Sequence, residues 1–177
     1  SIPVDTDEEM YVTKRNGNKE IVSFDKILRR IKTLGTEANI KLNYTSLVMK
    51  VIDQIYNNIS TTKIDELSAE QCASMSTVHP DYNILAGRIV ISNLHKNTSS
   101  SFSDVMVNLY NNKDKHGKHS PIVSDALYNV VTTHKEELDR LVNHDSDYLI
   151  DYFGFKTLER AYLMKVNKVV RERPQDM

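Results

Sequence analysis

The dipeptide Asn16-Gly17, set between the β-prone runs Tyr11-Val12-Thr13-Lys14-Arg15 and Lys19-Glu20-Ile21-Val22-Ser23-Phe24, constrains this chain more than any other feature. Both residues tolerate the positive φ of a type I′ turn, so the pair predicts a β-hairpin. With Asn16-Gly17 central, Lys14 faces Lys19, Thr13 faces Glu20 and Val12 faces Ile21. Two lysines side by side repel unless an anion lies between or near them, which is a first pointer to phosphate; the alternative is that both extend into water. Elsewhere turn residues are scarce. The 5 Gly and 4 Pro in 177 residues are about half of average usage, too few to punctuate a sandwich or barrel.

The following sequence predicts four amphipathic helices. Asp25 caps the first over 26–35, with Ile27, Ile31 and Leu34 in register and Gly35 as its stop. Thr45 opens the second, whose stripe Leu47, Val48, Val51, Ile52, Ile55 runs to about Ile59. The third begins after Thr61 or Thr62 and carries Ile64, Leu67, Gln71, Met75 and Val78. Pro80 and Asp81 suit the first turn of the fourth, whose inner face is Ile84, Leu85, Arg88, Ile89, Ser92 and Leu94. The expected fold is therefore mainly α with a small β part, a hairpin followed by a four-helix bundle.

The polar run Asn97-Thr98-Ser99-Ser100-Ser101 marks a domain boundary. Beyond it, Phe102–Tyr110 reads as a short helix, 113–121 as a loop and Asp125–Val142 as one helix. The aromatic stretch Tyr148, Tyr152, Phe153, Phe155 and Tyr162 lacks enough surrounding sequence to close a core, so 102–177 is expected to be part of a larger helical domain. Residues 1–9 are expected to be an upstream extension or a cloning remnant.

Several functions find no support. A formal net charge of −1 offers nucleic acid no generally basic surface, and no apolar run approaches a membrane span. The lone Cys72 cannot form an internal disulfide, which points to a reduced, cytoplasmic setting, and it lies beside the apolar face of a helix as a small core residue. His116 and His119 are spaced like metal ligands, but no Cys or third His accompanies them, so no metal site is expected. A Gly-rich phosphate loop and a dinucleotide fingerprint are both missing.

Val12-Thr13-Lys14-Arg15-Asn16-Gly17 followed by Glu20-Ile21-Val22-Ser23-Phe24-Asp25-Lys26-Ile27 resembles the opening of the ATP-cone, the nucleotide-sensing domain at the N-terminus of ribonucleotide reductase large subunits. The resemblance continues through Ser60-Thr61-Thr62-Lys63-Ile64-Asp65-Glu66-Leu67, His79-Pro80-Asp81-Tyr82 and Ala86–Lys96. Past the boundary, Asn108-Leu109-Tyr110, His116-Gly117-Lys118-His119-Ser120-Pro121 and Tyr152–Arg160 are similar to the eukaryotic-type class I large subunit. Asn16 stands where the family often has Asp, and Asp65 where bacterial members often have His.

The resemblance implies an ATP-cone over 10–101 and the start of the reductase helical domain over 102–177. It implies ATP or dATP, with Mg, as an allosteric effector held by Lys14, Arg15, Glu20, Ile21, Val22, Ser23, Phe24, Asp25, Lys26, Thr61, Asp65, Asn93 and Lys96. Cations at Lys14, Arg15, Lys26 and Lys96 suit phosphates, Glu20 and its strand suit the adenine edge, and Asp65 and Thr61 suit the sugar hydroxyls. Read singly, each residue also has a plain role: a solvated hairpin tip, a cross-strand partner, a helix surface charge. The implied parent enzyme reduces ribonucleoside diphosphates with a radical from a small subunit, and its large subunits associate with one another. One cysteine cannot supply the radical and redox thiols, so the chain alone is expected to be inactive. Two rivals are a nucleotide-sensing repressor, which needs a four-Cys zinc ribbon, and a helical interaction module without a ligand.

Overall fold

The computed structural model describes residues 9–177; apart from Glu9, the expected N-terminal extension lies outside them. The fold is mainly helical, and its compact units are Ser1–Asn93 and Leu94–Met177, divided inside one continuous helix.

In the first unit, β1 (Tyr11–Thr13) and β2 (Lys19–Ile21) form the hairpin, but in a different register from the expected one. Thr13 pairs with Lys19, Val12 with Glu20 and Tyr11 with Ile21. Gly17 N–H donates to the Lys14 carbonyl at 2.9 Å and Lys14 N–H to the Asn18 carbonyl at 2.8 Å, while Gly17 alone takes a positive φ of 84°. This is a three-residue loop, Arg15-Asn16-Gly17, built as a type I turn closed by a left-handed residue. Lys14 therefore does not face Lys19, and the phosphate pointer drawn from that pair falls away.

A third strand, β3 (Ile59–Ser60), pairs parallel to β1 with Val12 opposite Ile59 and Thr13 opposite Ser60. The second helix, expected to run to about Ile59, overlaps the start of this strand. α2 (Tyr44–Ile52) in fact stops at Ile52, and Ile55 and Ile59 bury their side chains from the following turns and strand, against Val12 and Ile64. Asn58 enters this strand at φ 63°, a conformation Asn reaches more readily than most residues.

The helix starts differ by one or two residues from expectation, for a shared reason. Each begins after a side chain that accepts from a first-turn N–H: Ser23 for α1 (Phe24–Thr36), Asn43 for α2 and Ser60 for α3 (Thr61–Ser74). Asp25, expected as a cap, and Thr45, expected to open its helix, both lie inside their helices. Asp65, Ser68 and Cys72 share the buried face of α3, while Val78, expected inside, is 74% exposed. α4 (Asp81–Asn97) buries Leu85, Ala86, Ile89, Val90 and Ile91, and leaves Ile84 outside. Arg88 ties it to the end of α1, donating to the Leu34 carbonyl at 2.7 Å.

Gly35 does not stop α1. It lies buried within the helix, and an added Cβ would sit 2.7 Å from two ring carbons of Tyr44. Asn39, at φ 55°, supplies the left-handed residue four positions later.

The second unit places α5 (Phe102–Tyr110) against α6 (Asp125–Thr133) and α7 (Lys135–Leu141), with Val105, Met106, Leu109 and Val131 at its centre. The single helix expected over 125–142 breaks at His134, whose φ and ψ of −111° and 29° leave the helical region. A 3₁₀ turn (His144–Leu149) and α8 (Tyr152–Ala161) follow. A short hairpin, β4 (Lys165–Val166) and β5 (Val169–Val170), turns on Asn167 and Lys168, both at positive φ. With no glycine there, Asn167 is that turn's one residue of a type that favours positive φ. Asp139 of α7 takes the backbone N–H and hydroxyl of Ser103, each at 2.7 Å, and the Ser101 hydroxyl at 3.3 Å. Burial alone would raise its carboxyl, but these bonds outweigh it and hold the group below its ordinary value.

Two outcomes are expected. Gly35→Ala forces the Tyr44 ring aside, and the overpacking exceeds the gain in helix propensity, so urea unfolding should show a loss of about 1–2 kcal/mol. Asp139, lowered in the fold, contributes stability present above the unfolded value of about 3.9 and lost as pH falls through the folded one. The urea midpoint of the second unit should therefore drop as pH falls below about 4, and Asp139→Asn should flatten that drop.

Candidate functional site

Parallel pairing of β1 with β3 sets the geometry of the site. It brings Ser60, the cap of α3, level with Thr13, so Thr61 and Asp65 lie one turn apart on α3 beside the hairpin loop. From that loop Arg15 reaches three partners: Nη2 donates to Asn93 Oδ1 at 2.7 Å and lies 3.4 Å from Asp65 Oδ2, and Nη1 lies 3.4 Å from Thr61 Oγ1. Four expected residues from the hairpin, α3 and α4 are thus brought together.

A second group forms beside the start of α1. Glu20 bridges two ammonium groups, its Oε1 2.9 Å from Lys14 Nζ and its Oε2 2.9 Å from Lys26 Nζ. The hydrogen bond from Lys14, followed by that from Lys26, holds its carboxyl below the usual range. Glu20 is opposite Val12, not Thr13 as its expected register had it.

The remaining expected residues hold lesser positions. Ile21 ends β2 and is 54% exposed, Val22 donates its N–H to the Met10 carbonyl and packs on the small core, and Ser23 caps α1. Phe24 and Asp25 form the first turn of α1, Phe24 half-buried and Asp25 exposed. Ser23 already takes one of that helix's free N–H groups, the one on Lys26, at 3.3 Å. Lys96 is exposed in the last turn of α4 and belongs to the second compact unit.

Sequence reasoning missed Arg30. Its Nε donates to Asp65 Oδ1 at 2.8 Å and its Nη2 to Asp65 Oδ2 at 2.7 Å, a fork on a carboxylate that is only 6% exposed. The available signal was helical spacing, since Arg30 follows Lys26 by four residues on α1. Lys14 and Lys26 pair with Glu20, and Arg15 and Arg30 pair with Asp65, so each carboxylate meets two cations. Among the described residues, no three His, Cys, Asp or Glu side chains are grouped to hold a metal. Burial pushes the Cys72 thiol up to about 12, which keeps it protonated and unreactive near neutrality. No helix of the described residues is long and apolar enough to cross a membrane.

Comparison with known proteins places these residues in a family. The ATP cone domain model matches residues 10–97. The ribonucleoside-diphosphate reductase large subunit of Monkeypox virus is 48% identical over 170 residues, covering 95% of this chain and 22% of that protein. Large chain 2 of the same enzyme from Saccharomyces cerevisiae is 46% identical over 171 residues, and the Caenorhabditis elegans large subunit 46% over 169. The shares covered are 95% and 94% of this chain, against 20% and 21% of those proteins. The chain spans about a fifth of the length of the curated relatives it matches. Through residues 10–97 the chain belongs to the ATP-cone family, and over nearly all its length it is homologous to the N-terminal ATP-cone region of class I ribonucleotide reductase large subunits.

Proposed function

We propose that residues 10–101 are an allosteric module sensing ATP and dATP, within a large subunit that reduces ribonucleoside diphosphates to deoxyribonucleotides for DNA synthesis. The single observation that carries this reading is the gathering of cations by the hairpin and the first turns of α1, two to each carboxylate. A triphosphate offers those cations further negative charge. Its phosphates compete with Glu20 for Lys14 and Lys26, and Arg15 offers a planar fork beside them. Glu20, once released, and the backbone of Ile21 and Val22 read the adenine edge. Thr61, Asp65 and Asn93 address the sugar, where ATP and dATP differ by one hydroxyl. Any Mg²⁺ would arrive with the nucleotide and would offset part of its phosphate charge.

The rest of the reading concerns the longer protein. Residues 102–177 belong to the reductase body, and Leu149, Leu141, Tyr162 and Phe153, at 89%, 75%, 61% and 60% exposure, are the surface that the remainder of the large subunit covers. The partners are further large subunits and a radical-bearing small subunit in the cytoplasm. The nucleotide acts by binding two assemblies unequally, since equal affinity shifts nothing.

Calorimetry with ATP on this chain tests the proposal. Each charge-assisted contact is worth about 1.5–3 kcal/mol, so Lys14→Ala and Lys26→Ala should each weaken binding about tenfold or more. Unchanged affinity in both variants removes those lysines from the site, and a parent chain that binds neither ATP nor dATP leaves a helical interaction module.

A further inference from the structure

Arg30 carries no expected role, yet it makes the shortest contacts to the most buried charge of the site. Both Asp65 oxygens are engaged by its fork, whereas Arg15 reaches only Oδ2, at 3.4 Å. A carboxylate turns freely about its terminal torsion, which is broad and roughly two-fold. Two parallel N–H donors from one rigid guanidinium remove that freedom and fix the carboxylate plane. A carboxylate accepts about four hydrogen bonds, so the held group keeps an accepting lobe on Oδ1. The fork decides which way that lobe points.

We infer that Arg30 is the positioning residue of the effector site, orienting the Asp65 carboxylate so that it distinguishes a ribose from a deoxyribose. The inference rests on the nucleotide reading above and deepens it. Arg30 acts through Asp65: it lies on α1 with two of its five N–H donors, on Nε and Nη2, turned on that carboxylate. Arg29, its exposed neighbour, has no part in the grip and serves as the control. Lysine at position 30 keeps the positive charge but has no fork, so Arg30→Lys separates orientation from simple neutralisation.

The experiment measures ATP and dATP dissociation constants by calorimetry on this chain and on Arg30→Lys, Arg29→Lys, Asp65→Asn and the double variant Arg30→Lys/Asp65→Asn, with thermal unfolding of each. The ratio of the two constants should shift about fivefold or more in Arg30→Lys and stay at the parent value in Arg29→Lys. In the Asp65→Asn background, Arg30→Lys should add nothing to the ratio, because a residue acting through Asp65 has nothing left to orient. A general loss of packing would weaken both nucleotides alike and leave the ratio unmoved. Should Arg30→Lys fail to fold, the double variant, which lacks the buried charge, still gives the comparison with Asp65→Asn. A ratio within twofold of the parent in Arg30→Lys, or a further shift in the double variant, overturns the inference. So does a parent that binds ATP and dATP equally. A parent that binds neither overturns the nucleotide reading itself.

Discussion

A single buried carboxylate organises the first unit. Asp65 is 6% exposed and would be costly to hold ionised without partners. Arg30 supplies a full fork from α1, and Arg15 approaches from the hairpin loop. Because Arg15 also reaches Thr61 and Asn93, the cluster links the hairpin, α1, α3 and α4. Ion pairs of this kind contribute little net stability, since desolvation offsets the attraction, but an unmatched partner is strongly penalised. The cluster therefore specifies where four elements meet more than it strengthens their meeting. Hydrophobic burial by α2 and α4, where Leu47, Val48, Leu85 and Ile89 are wholly inside, does the stabilising.

Much of this was legible in the amino-acid sequence, and the losses have physical causes. The hairpin was visible because Asn-Gly strongly favours a turn, but a two-residue and a three-residue loop share that dipeptide and differ in register. Ile55 and Ile59 kept an apolar stripe alive past the end of α2, so periodicity could not separate a helix from a turn leading into a strand. The break at His134 has no Gly or Pro to announce it. The Asn167-Lys168 turn is only weakly announced, because Asn167 favours positive φ but Lys168 does not.

The candidate site divides along the same line. Lys14, Arg15, Lys26, Thr61 and Asp65 were readable through the family resemblance, since they fall inside its motifs. Arg30 was not, because what singles it out is burial of its partner, and burial of a helix-borne Asp is a tertiary fact. Glu20 shows the opposite effect: its position was readable, but its engagement by two lysines depends on the loop register and on where α1 begins.

The contacts that define the site are far apart along the chain. Arg30 and Asp65 are separated by 35 positions, Arg15 and Asp65 by 50, and Arg15 and Asn93 by 78. Long-range pairings form only after the entropy of closing large loops has been met, so they come late in folding. Neither the hairpin nor α1 alone forms this cluster; each carries scattered charge. The cluster exists only when the whole unit has closed, so any ligand that binds there binds the native state alone and adds its binding free energy to the stability of the unit.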